Sequence, residues 1–237
     1  MTAKGANMII QGLQKLTLLD YPGKLAATVF LGGCNYRCPF CHNSSLVLAP
    51  GASGMISEES VISFLAERRP KLNAVCISGG EPTLNADLPS FIYKLKELGF
   101  AVKLDTNGSS PEMIYALVAD ELIDYVAMDI KTSKANYPKV CGKADMDFFA
   151  VEESVAYLLT GSIDYEFRTT LVRGIHTEAD MIGIGEWIKG AKRYFLQSYK
   201  DSGEIIAPQG LSAFTKEEMT AMLGLVKPYV PTAALRG

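Results

Sequence analysis

Short apolar runs alternate along this chain with segments whose apolar residues recur every three or four positions. The runs cover residues 26–31, 74–78, 101–105, 125–129, 166–172 and 194–197 and are rich in Val, Ile, Leu, Phe and Tyr, as strands buried on both faces are. Helices fit between them. Ser57 can cap a helix running to about Arg68, with Glu58 and Glu59 complementing its positive end. Leu88, Phe91, Ile92, Leu95 and Leu98 repeat at helical spacing before Gly99, which suits a stop. Ser110 before Pro111 is another start, and Val151, Val155, Leu158 and Leu159 mark a fourth helix. Thr177 opens a fifth, carrying Met181, Ile184, Trp187 and Ile188. Thr215 to Glu218 reads as a capping box for a last one.

Six strand–helix units in this order predict an α/β fold of parallel strands with right-handed crossovers. Six units are too few for a closed eight-stranded barrel, so the expectation is a partial (β/α)6 barrel, with a doubly wound sheet as the alternative. In either, ligands gather at the C-terminal ends of the strands. The Gly-rich and polar signatures follow strands: Gly32-Gly33-Cys34, Gly79-Gly80-Glu81-Pro82 and Thr106-Asn107-Gly108. A single domain over residues 1–237 is expected, with a core at about 12–200 and a C-terminal loop and helix at 201–237. Residues 199–214 hold Gly203, Pro208 and Gly210 and read as a mobile loop at the barrel mouth. Ile205 and Ile206 within it either pack the final helix or grip a partner.

Composition narrows the class. The chain has 237 residues, of which 48% are hydrophobic, enough for a sizeable core, and its net charge is −3. The absence of a basic block argues against nucleic-acid binding. No apolar run approaches the roughly 20 residues of a membrane span, and residues 1–8 lack the apolar core of a signal peptide. A cytoplasmic protein is expected. Of five cysteines, three fall within eight residues, a pattern of metal binding in a reduced compartment rather than of a disulfide framework.

That loop reads Cys34-Asn35-Tyr36-Arg37-Cys38-Pro39-Phe40-Cys41. An iron–sulfur cluster of four irons takes four ligands, so three nearby thiolates would leave one iron open. Structural zinc is the bland alternative, with His42 as fourth ligand. Glu81 could pair with an ammonium, and the glycines before it would let the backbone approach a ligand. Taken alone, Asn107-Gly108 is a turn, Asp129 and Lys131 are strand-end charges, Arg168 is a paired strand residue and Phe40 is core. Cys76 reads as a small buried hydrophobe and Cys141 as an incidental loop thiol.

Three cysteines spaced Cys-x3-Cys-x2-Cys, with an aromatic before the last, resemble the radical S-adenosylmethionine superfamily over residues 12–199. That resemblance implies a [4Fe–4S] cluster on Cys34, Cys38 and Cys41. Its open iron chelates S-adenosylmethionine, and one electron splits the sulfonium to methionine and a hydrogen-abstracting 5′-deoxyadenosyl radical. It further implies cofactor contacts from Gly79, Gly80 and Glu81, and from Phe40 near the adenine. Asp105-Thr106-Asn107-Gly108 and Asp129-Ile130-Lys131 look like elements of glycyl-radical activating enzymes. By that likeness Asp105, Thr106 and Asp129 could ligate Na+ or K+, Lys131 and Arg168 would contact the cofactor, and His42 would stand beside the site. Ser198-Tyr199-Lys200 departs from the Pro-Tyr-His of pyruvate formate-lyase activating enzymes, so no histidine contact is expected there. The opening from Gly12 to Lys24 is most similar to the anaerobic ribonucleoside-triphosphate reductase activating protein in its longer form. This implies a glycyl-radical enzyme partner, anaerobic ribonucleotide reductase, and a flavodoxin or ferredoxin electron donor. The alternatives are a pyruvate formate-lyase type activator and a 7-carboxy-7-deazaguanine synthase, whose first cysteine gap is typically much longer. A peptide modifier and a non-enzymatic zinc module are further options; the latter leaves Glu81, Asp105 and Asp129 unexplained.

Overall fold

Each apolar run becomes a strand, and the computed structural model describes residues 8–52 and 54–236. The N-terminal residues 1–7, on which the signal-peptide reading rests, lie outside the described residues. The chain falls into two compact units, the first built from residues 8–35, 45–106 and 110–126, the second from 36–44, 107–109 and 127–236.

In the first unit β1 (Ile10–Thr17) runs antiparallel to β2 (Ala26–Leu31). β2 pairs in parallel with β3 (Ala74–Gly79), and β3 with β4 (Ala101–Thr106). The register sets Ala26 opposite Ala74 and Leu31 opposite Gly79, so the two C-terminal strand ends arrive together. A short helix α1 spans Ser44–Leu48, followed by α2 (Glu58–Arg68), α3 (Leu88–Glu97) and α4 (Pro111–Ala119). Ser57 caps α2 by accepting from the Ser60 N–H at 3.2 Å. Leu88, Phe91, Ile92 and Leu95 of α3 are fully buried, as their spacing requires. Ser110 marks the start of α4 without a side-chain cap bond; Pro111 alone sets the first turn.

β5 (Tyr125–Asp129) begins in the first unit and ends in the second. After it come α5 (Tyr137–Val140), α6 (Phe148–Leu159), β6 (Asp164–Leu171), α7 (Glu178–Trp187), β7 (Tyr194–Ser198), α8 (Lys216–Val226) and β8 (Ala234–Arg236). β6, β7 and β8 pair in parallel. All six expected strands are present, and among the described residues two unexpected ones accompany them. β1 escapes the apolar pattern because it is half-exposed and carries Gln11, Gln14 and Lys15, the composition of an edge strand. β8 is three residues long, yet Arg236 makes a two-pronged ion pair with fully buried Glu166 at 2.5 and 2.8 Å and covers the Phe195 ring at 3.5 Å.

The expected capping box forms at Thr215/Glu218, and a second forms at Thr177/Asp180, where the sequence indicated only a helix start. Asp180 does more than cap α7. One oxygen accepts from Thr132, Ser133 and Asn136 at 3.2, 2.5 and 2.7 Å, the other from the Thr177 N–H and hydroxyl at 3.0 and 2.7 Å. The carboxylate therefore fastens the segment after β5 to the start of α7. Burial opposes its ionisation, but the Ser133, Thr177 and Asn136 donors outweigh it and hold the carboxyl at about 2. The stability from this depressed value is fully present above an ordinary aspartate pKa of about 3.9 and is lost as pH falls toward that held value. Asp180→Ala will lose a cap and strand buried donors, costing about 2–4 kcal/mol. Urea unfolding checks it; a wild-type midpoint would show that the hub carries no stability.

Candidate active site

In the first unit the end of β3 lies on the backbone that leads into Cys34. The Gly80 N–H donates to Leu31 O and the Glu81 N–H to Gly33 O, both at 2.8 Å. Gly79 has φ +121°, and a Cβ there would sit 2.3 Å from Leu31 O; a Cβ on Gly80 would sit 2.0 Å from Gly33 O. The glycine pair is thus required first by the approach of two protein backbones, where the sequence suggested a ligand. Glu81 is fully buried. Its Oε1 accepts from the Thr83 N–H at 3.1 Å, the Thr83 hydroxyl at 2.5 Å and the Thr106 hydroxyl at 2.8 Å. It ties the end of β3 to the end of β4. Asp105 takes the Ser78 hydroxyl at 3.1 Å and pairs with Lys103, which is buried and whose Nζ also lies 3.8 Å from Cys76 Sγ. Cys76 is buried as expected, and it serves besides as an acceptor for that lysine.

In the second unit Asn107 closes an Asx turn, its Oδ1 accepting from the Ser109 N–H at 2.9 Å. Gly108 C=O is held by the Ser154 hydroxyl of α6 at 2.8 Å. The turn reading is therefore satisfied. Asp129 stands between two cations: Oδ1 takes Arg168 Nε at 3.0 Å and Oδ2 takes Lys131 Nζ at 2.9 Å. Burial disfavours charge on Asp129, yet Arg168 and Lys131 overcome it and hold the carboxyl well below the carboxylate range. Lys131 is likewise pushed well above the usual lysine range against burial, by Asp129 first and then Cys38. Asp105 and Asp129, which the resemblance would make ligands of Na+ or K+, each already pair with protein cations.

The cysteine loop carries three dissimilar thiols. Cys34 and Cys41 are half-buried and Cys38 is buried. The Cys38 thiol is lowered chiefly by a hydrogen bond with Cys141, with burial opposing and Lys131 assisting. Burial pushes Cys41 up against the pull of the Asn43 backbone and Lys131. Cys141, far from incidental, is fully buried. Phe40 packs edge-on against His176, ring centres 6.2 Å apart, and His42 is exposed. The loop at 199–214 is anchored rather than free: Ile206 N–H donates to Cys41 O at 3.2 Å and Ala207 N–H to Pro39 O at 2.9 Å, with Ile205 buried.

Sequence reasoning missed His176 and Lys103. Buried His176 accepts from the Val172 N–H at Nδ1 (3.0 Å), and its Nε2 donates to Lys131 O at 2.8 Å. Burial keeps the ring neutral, and these partners fix the proton on Nε2. It thereby holds the backbone of Lys131. Its signal was being one of only two histidines, set just after a strand. Lys103 was legible as a cation inside the apolar run 101–105, two positions before Asp105 and so on the same face.

Residues 28–185 match the family model of the radical SAM superfamily. The chain belongs to that superfamily. A candidate glycyl-radical enzyme activating enzyme of Methanocaldococcus jannaschii is 34% identical over 236 residues, covering 96% of this chain and 95% of that one. The pyruvate formate-lyase-activating enzyme of Clostridium pasteurianum is 30% identical over 59% of each chain. A 7-carboxy-7-deazaguanine synthase of Hyperthermus butylicus is 30% identical over 56% of this chain and 60% of its own. Among solved structures, Streptococcus suis SuiB bound to its precursor peptide superposes with a TM-score of 0.67 at 14% identity, over 86% of this chain and 47% of its own. A domain of the pyruvate-formate lyase-activating enzyme of Bacteroides vulgatus gives 0.57 at 16% identity, over 70% and 99%. These structural likenesses confirm the α/β fold of parallel strands.

A radical SAM enzyme uses a [4Fe–4S] cluster and S-adenosylmethionine. Among the described residues no three His, Cys, Asp or Glu side chains are already gathered as a metal cage. The donor chemistry fits the cluster: the loop's three thiols are free of disulfides, and Lys131 favours thiolate at two of them. Thiolates are the ligands such clusters take. Among the described residues, no helix is long and apolar enough to cross a membrane.

Proposed function

We propose that this radical SAM enzyme installs a glycyl radical on a partner enzyme, with Cys34, Cys38 and Cys41 holding the cluster. Held by these thiolates, the cluster would supply the one electron for reductive cleavage of S-adenosylmethionine; methionine would be one product, and the hydrogen atom taken from the partner's glycine Cα would leave in 5′-deoxyadenosine. The observation that carries the reading is the 34% identity to a candidate glycyl-radical enzyme activating enzyme over nearly the whole of both chains.

Within this reading Lys131 and Arg168 contact the cofactor, held in place by Asp129. Glu81 acts through Thr83 and Thr106, as a positioning residue for the Gly79–Gly80 backbone. The partner we favour is anaerobic ribonucleotide reductase, with a flavodoxin or ferredoxin as donor, because the opening from Gly12 to Lys24 resembles that of its activating protein. Mixing the reconstituted protein with the reductase, S-adenosylmethionine and reduced flavodoxin will give a glycyl-radical signal in electron paramagnetic resonance. Cofactor cleavage without that signal, in the reductase or in a pyruvate formate-lyase, would overturn the proposal.

A further inference from the structure

Cys141 lies about a hundred residues beyond the cysteine loop, yet its backbone is fixed onto it. The Arg37 N–H donates to Cys141 O at 2.8 Å, and the Cys141 N–H is held by Tyr137 O at 2.9 Å. Gly142 takes φ +64°, and a Cβ there would fall 2.5 Å from Arg37 O. Glycine is what lets the turn after α5 lie flat on the loop backbone. Cys38 and Cys141 are both buried and their side chains are hydrogen-bonded. A cluster ligand is a thiolate, which has no proton to give. When Cys38 is that ligand, the hydrogen in the bond belongs to Cys141.

We propose that Cys141 is a positioning residue that donates its S–H to the Cys38 sulfur and thereby sets the reduction potential of the cluster. Reduction adds negative charge that the ligand sulfurs share, and a donor to one of them favours the reduced state; hydrogen bonds to ligand sulfurs are among the levers that set such potentials. Lys131 also acts on Cys38, so the thiol must be tested while that charge is left in place. The inference rests on Cys38 being a ligand.

Wild type, Cys141→Ala, Cys141→Ser and Cys38→Ala would be reconstituted anaerobically, assayed for iron and sulfide, and titrated for midpoint potential by electron paramagnetic resonance. Cys141→Ala will load its cluster at a more negative potential; a tenfold loss in the reduction equilibrium reads as a shift of about 59 mV for one electron. Cys141→Ser keeps a donor of similar size and will return toward the wild-type value. An unchanged potential in Cys141→Ala overturns the proposal, as does a serine variant that differs from wild type as much as alanine does. Iron loss in both Cys141 variants overturns it too, by making the residue a ligand or a purely structural one. Failure of the ligand assignment shows separately, as full iron content in Cys38→Ala.

Discussion

Alanine at Cys34, Cys38 or Cys41 will abolish formation of 5′-deoxyadenosine from S-adenosylmethionine, whereas Cys76→Ala will leave it intact. Cys76 faces Lys103 from within β3, while the other three share the loop after β2. On the proposed assignment each loop thiolate is one of three ligands, and removing one would leave an iron without its anionic donor. Chromatographic assay of the four variants, alongside iron analysis, reads both losses together. Full activity in any of the three loop variants would remove the cluster from that loop.

Arg236→Ala will destabilise the fold by about 3 kcal/mol, because it removes a two-pronged charge partner from the fully buried carboxylate of Glu166. For a chain of this length that corresponds to about 6–12 °C in the unfolding midpoint. The double variant Glu166→Leu with Arg236→Leu should recover much of the loss, since an apolar pair of similar volume carries no desolvation cost. A single variant that melts with wild type would show that water reaches Glu166 and that β8 contributes little.

Where local pattern and tertiary demand coincide, the sequence was readable. The parallel strands are buried on both faces, so their apolar runs stand out, and Thr177 and Thr215 carry caps whose chemistry is local. β1 and β8 were hidden for opposite reasons: one is an edge strand with polar faces, the other is too short to have a period. At the site, residue types were legible and partnerships were not. Asp129 and Lys131 were legible as charges at the end of a strand, but nothing in linear order says that Asp129 is clamped by Arg168, thirty-nine positions away. The contact of Cys141 with the cysteine loop is of the same kind. It depends on a turn at Gly142 that becomes meaningful only when the fold brings Arg37 against it.

The two main-chain bonds from Ile206 and Ala207 to the cysteine loop make those amides reporters. Their exchange with deuterated solvent requires the loop and the 199–214 segment to part, so its slowness measures the free energy of that local opening. Whatever orders the loop raises this free energy, and by thermodynamic reciprocity whatever grips the segment must tighten the loop by an equal amount. Deuterium uptake at two positions would therefore register cofactor loading from the far side of the loop, without a spectroscopic handle on iron.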